Sequence, residues 1–254
     1  MSDYILETHD LQVDFGGFLA VRGVDLKIAR GTIHAIIGPN GAGKTTVFNL
    51  LTKFHAPTAG RIVYNGTDIT HWKPAEIANH GIVRSFQISA VFPHLTALEN
   101  VRLALQRRLG VSYHFWRSRK VLQSLDREAM ERLGQVGLQG FAQRRAVEMP
   151  YGRKRALEIA TTLALEPELM LLDEPTQGMG TEDVGAVTDL IKKVSAGRTI
   201  VMVEHNLGVV AKLADAITVL NRGEVLAEGP YETVSKDPAV MEAYMGVSAE
   251  EASA

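Results

Sequence analysis

Residues 38–46 read Gly38-Pro39-Asn40-Gly41-Ala42-Gly43-Lys44-Thr45-Thr46, a complete G-x-x-x-x-G-K-[ST] pattern. Glycines at these positions let successive backbone N–H groups point into one concavity. A helix N-terminus behind them adds positive partial charge, so the segment suits phosphate oxygens. Lys44 would reach the β- and γ-phosphates, and the Thr45 hydroxyl would ligate Mg²⁺. Two adjacent carboxylates, Asp173-Glu174, close the apolar run Leu169–Leu172. Asp173 can hold Mg²⁺ through water, and Glu174 is then placed to polarise an attacking water. His205 follows another apolar run, where it would face the γ-phosphate. A strand-end histidine taken alone is more often a structural group than a catalytic one. Gln87, in Arg84-Ser85-Phe86-Gln87, carries no signal by itself. Together these residues point to binding and hydrolysis of a nucleoside triphosphate.

Such groups need a scaffold. Thr32–Ile37, ahead of the glycine-rich loop, reads as a buried strand, and Lys44–Lys53 after it as a helix. Val24, Leu26 and Ile28 alternate with Asp25, Lys27 and Ala29 in strand fashion. Arg61–Ile69 reads as a hairpin turned at Asn65-Gly66. From Ala97 to about Leu138 the period is helical, with Leu98, Val101, Leu105 and Leu109 about a turn apart. Tyr113–Lys120 mixes aromatics with cations; a docking or nucleic-acid patch is one reading, and a helix end with packed rings and solvated charge is the favoured one. After residue 160 strands return: Leu169–Leu172 is a continuous apolar run, as expected of a parallel strand buried on both faces, and Thr199–Val203 reads as another buried strand. Between them a helix is expected from Thr181, with Val184, Val187, Leu190 and Val194 on one face. Ala216–Leu220 and Glu224–Glu228 read as a second hairpin through Asn221-Arg222-Gly223.

The chain has 254 residues, enough for one large α/β domain, and carries a net charge of −2. That balance gives no basic field for nucleic acid or an anionic membrane. It has no cysteine, which excludes disulfides and cysteine-ligated zinc and fits a reducing compartment. No signal-peptide pattern opens the sequence. No run approaches 18 apolar residues, so work at a membrane would require docking on another protein.

The motifs together resemble those of an ATP-binding cassette (ABC) ATPase, the motor subunit of ABC transporters, over nearly the whole chain. The resemblance implies an α/β fold: a phosphate-loop, RecA-like core, an antiparallel β subdomain and a helical subdomain inserted at about 90–160. One domain would span residues 1–246, with a fraying tail at 247–254. Phe15 would stack on adenine. Gly38, Pro39, Asn40, Gly41, Ala42, Gly43, Lys44, Thr45 and Thr46 would hold the phosphates of ATP. Thr45, Gln87 and Asp173 would serve Mg²⁺. Glu174 would be the base, with Gln87 and His205 positioning water and γ-phosphate. Met149-Pro150-Tyr151-Gly152-Arg153 stands where the family has Leu-Ser-Gly-Gly-Gln, so Tyr151, Gly152 and Arg153 would meet ATP held by a second cassette. Pro150 replaces the serine whose hydroxyl would bond that γ-phosphate. Gln177-Gly178-Met179-Gly180 lacks the aspartate common at its end.

Within the family, Ala90–Val101, the Tyr151-Gly152 pair and Asp237–Gly246 look like importers of branched-chain and hydrophobic amino acids. That group implies two membrane permeases, a second cassette (identical or a sister chain) and, indirectly, a solute-binding protein. It implies a peripheral place on the cytoplasmic face of the inner (plasma) membrane, with no nucleic acid partner. A urea or amide importer, a lipopolysaccharide exporter and a soluble non-transport ABC ATPase remain open.

Overall fold

The computed structural model describes residues 3–85, 91–108 and 119–245. The chain begins with β1 (Tyr4–Phe15), β2 (Phe18–Ala29) and β3 (Ile33–Ile37), then α1 (Lys44–Leu51). Next come β4 (Ala59–Tyr64), β5 (Thr67–Asp68), α2 (Pro74–Asn79) and β6 (Ile82–Ser85). Helices α3 (Ala97–Arg108), α4 (Arg119–Gln135) and α5 (Tyr151–Leu163) precede β7 (Leu169–Asp173) and α6 (Thr181–Val194). The chain continues through β8 (Thr199–Val203), α7 (Leu207–Leu213), β9 (Ala216–Asn221) and β10 (Glu224–Gly229). It ends in α8 (Tyr231–Val234) and α9 (Pro238–Met245). Two compact units result, residues 1–80 with 195–254, and residues 81–194.

In the first unit, β2-β1-β4-β5 is an antiparallel sheet. The strand alternation is realised: Val24, Leu26 and Ile28 are buried, while Asp25 and Lys27 face solvent. Asn65 and Gly66 both take positive φ, 49° and 76°, as a two-residue hairpin turn demands. A second sheet segment runs β10-β9-β3-β8, with β3 parallel to both β8 and β9 and the β9–β10 hairpin antiparallel. Every residue of β3 and β8 is buried, which accounts for sequences that are apolar apart from His34 and Thr199. That register aims the C-terminal ends of β3 and β8 the same way, so the glycine-rich loop and His205 leave one edge of the sheet.

In the second unit β6 runs parallel to β7, and β7 is buried at all five positions. Val101, Leu105, Leu133, Leu157 and Leu163 form the interior of its helices. Leu109 and the aromatic–cationic stretch 113–118 lie outside the described residues. Helix α6 differs from expectation on one face. It buries Val187, Thr188, Ile191 and Val194, and Leu190 is only half-buried. Steps of four and three residues follow the helical period from Val187, and they select Ile191 over Leu190.

Candidate functional site

In the first unit the glycine-rich loop joins β3 to α1. Gly41 and Gly43 have φ of 80° and 98°, and Gly43 caps the helix in the left-handed region. Gly38 is required for space: a Cβ there would stand 2.2 Å from the Leu220 carbonyl oxygen. The β9–β10 turn braces the loop. Gly223 N–H donates to Ala42 O at 3.0 Å, and Arg22 N–H donates to Gly223 O at 2.8 Å. Lys44 is buried and folded back, its ammonium donating to the carbonyls of Gly38 (2.7 Å) and Pro39 (2.9 Å). The ammonium thus waits at the loop mouth already desolvated. Thr45 is exposed in the first turn of α1. Phe15 is 47% exposed and meets the His55 ring edge-on at a centroid distance of 5.3 Å.

His205 follows β8 in a tightly held turn. The buried Glu204 carboxylate accepts from the backbone N–H groups of His205 (2.7 Å) and Asn206 (3.0 Å). Asn206 in turn caps α7 through Gly208 and Val209 N–H. The backbone at His205 is therefore fixed while its ring is exposed. Gln87 lies outside the described residues.

In the second unit β7 delivers Asp173 and Glu174. Asp173 is 1% exposed and ion-paired with Arg84 of β6. Glu174 is buried with φ of 45°, a left-handed conformation that costs an ordinary residue about 1–3 kcal/mol and clusters at functional sites. Arg155 holds this backbone in place. Its guanidinium donates to the carbonyls of Asp173 (2.9 Å), Glu174 (3.2 Å) and Pro175 (3.1 Å), and pairs with Glu158 at 2.6 Å. Arg155 sits in α5, the helix that Tyr151, Gly152 and Arg153 open, so one helix ties that loop to the acidic strand end.

Pro150 takes the N-cap of α5 with no side-chain cap. Tyr151 donates its hydroxyl to Gln177 O at 3.3 Å. Arg153 lies over the Phe141 ring at 4.9 Å from its centroid. A Cβ on Gly152 would stand 2.6 Å from an oxygen of Asp183. The α5 N-terminus carries no side-chain cap, and a helix N-terminus offers backbone donors to an anion.

Arg84, Arg155 and Glu158 were not singled out from sequence. The signal was present: Arg84 interrupts the apolar strand Ile82-Val83, and Arg155 and Glu158 stand three apart on a helix otherwise buried there. The Thr45 hydroxyl in the first unit and the Asp173 carboxylate in the second are each oxygen donors, the kind a small hard cation takes. No cluster of three or more acidic or histidine ligands occurs among the described residues.

Residues 21–177 match the family described as ABC transporter, and residues 224–250 match branched-chain amino acid ATP-binding cassette transporter. The chain is 39% identical to BraF of Pseudomonas aeruginosa, a high-affinity branched-chain amino acid transport ATP-binding protein. That alignment covers 97% of this chain and 99% of the relative. It is 36% identical to the Escherichia coli K12 protein LivG, of the same description, at 97% and 99% coverage. The ADP form of an ATP-binding cassette of an ABC transporter superposes with a TM-score of 0.85 at 29% identity, covering 97% of this chain and all of that one. A nucleotide-free cassette superposes with a TM-score of 0.82, also at 29% identity, covering 96% and 100%.

Proposed function

Since the chain belongs to the ABC transporter family of ATP-binding cassettes, we propose that it is the ATP-hydrolysing subunit of an importer for branched-chain and hydrophobic amino acids. The observation that carries the substrate class is the match of residues 224–250, because a generic cassette has no need of that ending. In this reading a single cassette, residues 1–246, works at the cytoplasmic face of the inner membrane. Two permease subunits carry the pathway; no helix among the described residues is long and apolar enough to cross a membrane. A solute-binding protein delivers the amino acid to them.

Phe15 stacks on the adenine. The backbone from Gly38 to Thr46 and the Lys44 ammonium take the phosphates. Thr45, Asp173 and Gln87 would hold Mg²⁺, which would supply positive charge to the phosphate oxygens. Glu174 accepts a proton from the attacking water, and His205 orients the γ-phosphate. Two cassettes pair head to tail, so that Tyr151, Gly152 and Arg153 of one meet ATP held by Lys44 of the other. The uncapped α5 N-terminus supports this role despite Pro150. Closure drives the permeases, and hydrolysis resets them.

Two variants test the reading. Glu174→Gln should bind ATP as the parent does and lose about 10²–10⁴ in turnover. Lys44→Ala should lose nucleotide affinity. Near-parental turnover in the first, or unchanged nucleotide binding in the second, removes that residue from the mechanism.

A further inference from the structure

The ion pair between Arg84 and Asp173 has no role in the scheme above. Both side chains are shielded, 11% and 1% exposed. Arg84 enters from β6, whose register sets it opposite Leu171 of β7, two residues short of Asp173. Buried ion pairs contribute little net stability over apolar replacements, so stability alone does not account for one at this position. The guanidinium covers Oδ2 of the one carboxylate that the proposed function assigns to Mg²⁺.

We infer that Arg84 is a resident counter-cation of Asp173, which Mg²⁺ arriving with nucleotide must displace. The inference rests on the reading of Asp173 as the magnesium carboxylate. Arg84 holds the Asp173 carboxylate in place while the site waits, then yields one oxygen to the incoming cation. It is a positioning residue: it touches Asp173, not the substrate.

The second place for the guanidinium is in view. Arg84 lines a groove of about 360 Å³ together with Ser85, Phe92, Asn100, Arg107 and Glu158. Ser85 Oγ is buried there and has no hydrogen-bond partner among the described residues. Glu158 adds a carboxylate to the same wall. A guanidinium leaving Asp173 therefore meets that hydroxyl and an acid within the groove. Glu158 also reaches the strand end through Arg155, which holds the carbonyls of Asp173, Glu174 and Pro175. Magnesium loading and the state of this groove are thus linked through Arg84 directly and through Arg155 at one remove.

The test is a Mg²⁺ titration of equilibrium binding of a fluorescent ATP analogue to the Glu174→Gln chain, which cannot turn it over. It is repeated with Arg84→Met, Arg84→Lys and Asp173→Asn added singly. An adjacent opposite charge alters a carboxylate's affinity for a proton by about one to three powers of ten, and a divalent cation feels the same field. The half-saturating Mg²⁺ concentration should fall about tenfold or more in Arg84→Met. It should fall less in Arg84→Lys, with Mg²⁺-free affinity unchanged in both. Thermal melting should show Arg84→Met destabilised without Mg²⁺ and recovering with Mg²⁺ and the analogue. If Arg84→Met does not fold, the Arg84→Lys titration decides. An unchanged or raised Mg²⁺ requirement in the Arg84 variants, with the requirement lost in Asp173→Asn, overturns this inference alone. A parental requirement in Asp173→Asn overturns the assignment of Asp173 and the inference with it.

Discussion

Replacing Arg155 by methionine removes a guanidinium that performs two tasks, and the structure lets the two be separated. The side chain is 6% exposed and its partner Glu158 is 4% exposed. Breaking a buried pair by removing one partner costs about 3–5 kcal/mol, since the remaining charge is left uncompensated. For a chain of this length each kcal/mol moves Tm by roughly 2–4 °C, so Arg155→Met should melt about 6–20 °C lower. The second task is the grip on the carbonyls of Asp173, Glu174 and Pro175. Without it the left-handed backbone at Glu174 can relax and carry its carboxylate away. A displacement of about 1 Å can cost a reaction 10²-fold. Adding Glu158→Met should restore much of the stability, because no buried carboxylate then lacks its partner. It should not restore turnover, because the carbonyl grip is still missing. Calorimetric Tm and steady-state ATP hydrolysis measured on the two variants check both statements. A Tm within about 2 °C of the parent, or parental turnover in the double variant, would refute the reasoning.

Burial holds the His34 imidazole down to about 4, against 6.5 for a free histidine, and its Nε2 lies 2.7 Å from the Thr218 hydroxyl. The unfolded chain therefore binds a proton that the folded chain refuses as pH falls from 6.5. Stability from this residue is intact above pH 6.5 and drops by about 1.4 kcal/mol per pH unit below it, reaching about 3 kcal/mol at pH 4. The Glu228 carboxyl, raised chiefly by burial, opposes this in the acid range. Urea denaturation at pH 7, 6 and 5 should show the decline, and His34→Gln should flatten it. Gly38→Ala should weaken nucleotide binding about tenfold or more, because a Cβ 2.2 Å from Leu220 O forces the loop to move; calorimetric titration with ATP measures it. Pro150→Ser should add a side-chain N-cap to α5, contributing about 1 kcal/mol. Its ATPase rate should rise by less than about a hundredfold if the loop already works through backbone donors, since one hydrogen bond to a charged group contributes about 1.5–3 kcal/mol.

Much of the scaffold was legible in the residues. Mostly apolar runs marked β3, β7 and β8, because strands buried on both faces favour apolar residues, with His34, Asp173 and Thr199 the polar members. Asn65-Gly66 and Arg222-Gly223 marked hairpins through the positive φ that their turns require. The glycine-rich loop announced itself by a spacing whose reason is the close approach of backbone to phosphate and, at Gly38, of Leu220 to the loop. The less visible part was charge placed by tertiary contact. Nothing in the run Ile82-Val83-Arg84-Ser85 says that its arginine meets Asp173, 89 residues later. The pairing of Arg155 with three carbonyls depends on where α5 lies beside β7. Leu190 and Ile191 could not be ranked by hydrophobicity, since both satisfy an apolar helix face and only the period chosen separates them. His34 reads as one more residue in a strand until burial and Thr218 show why it must stay neutral.

The central claim is tested most directly by uptake of radiolabelled leucine into proteoliposomes. These are built from the membrane complex purified through this chain, with the solute-binding protein on one side and Mg²⁺-ATP on the other. The account predicts two permeases in the complex and leucine uptake that requires ATP. Isoleucine and valine should compete with it, and Glu174→Gln should abolish it. A chain that purifies with soluble proteins alone, or a complex that hydrolyses ATP and moves no branched-chain amino acid, would contradict it.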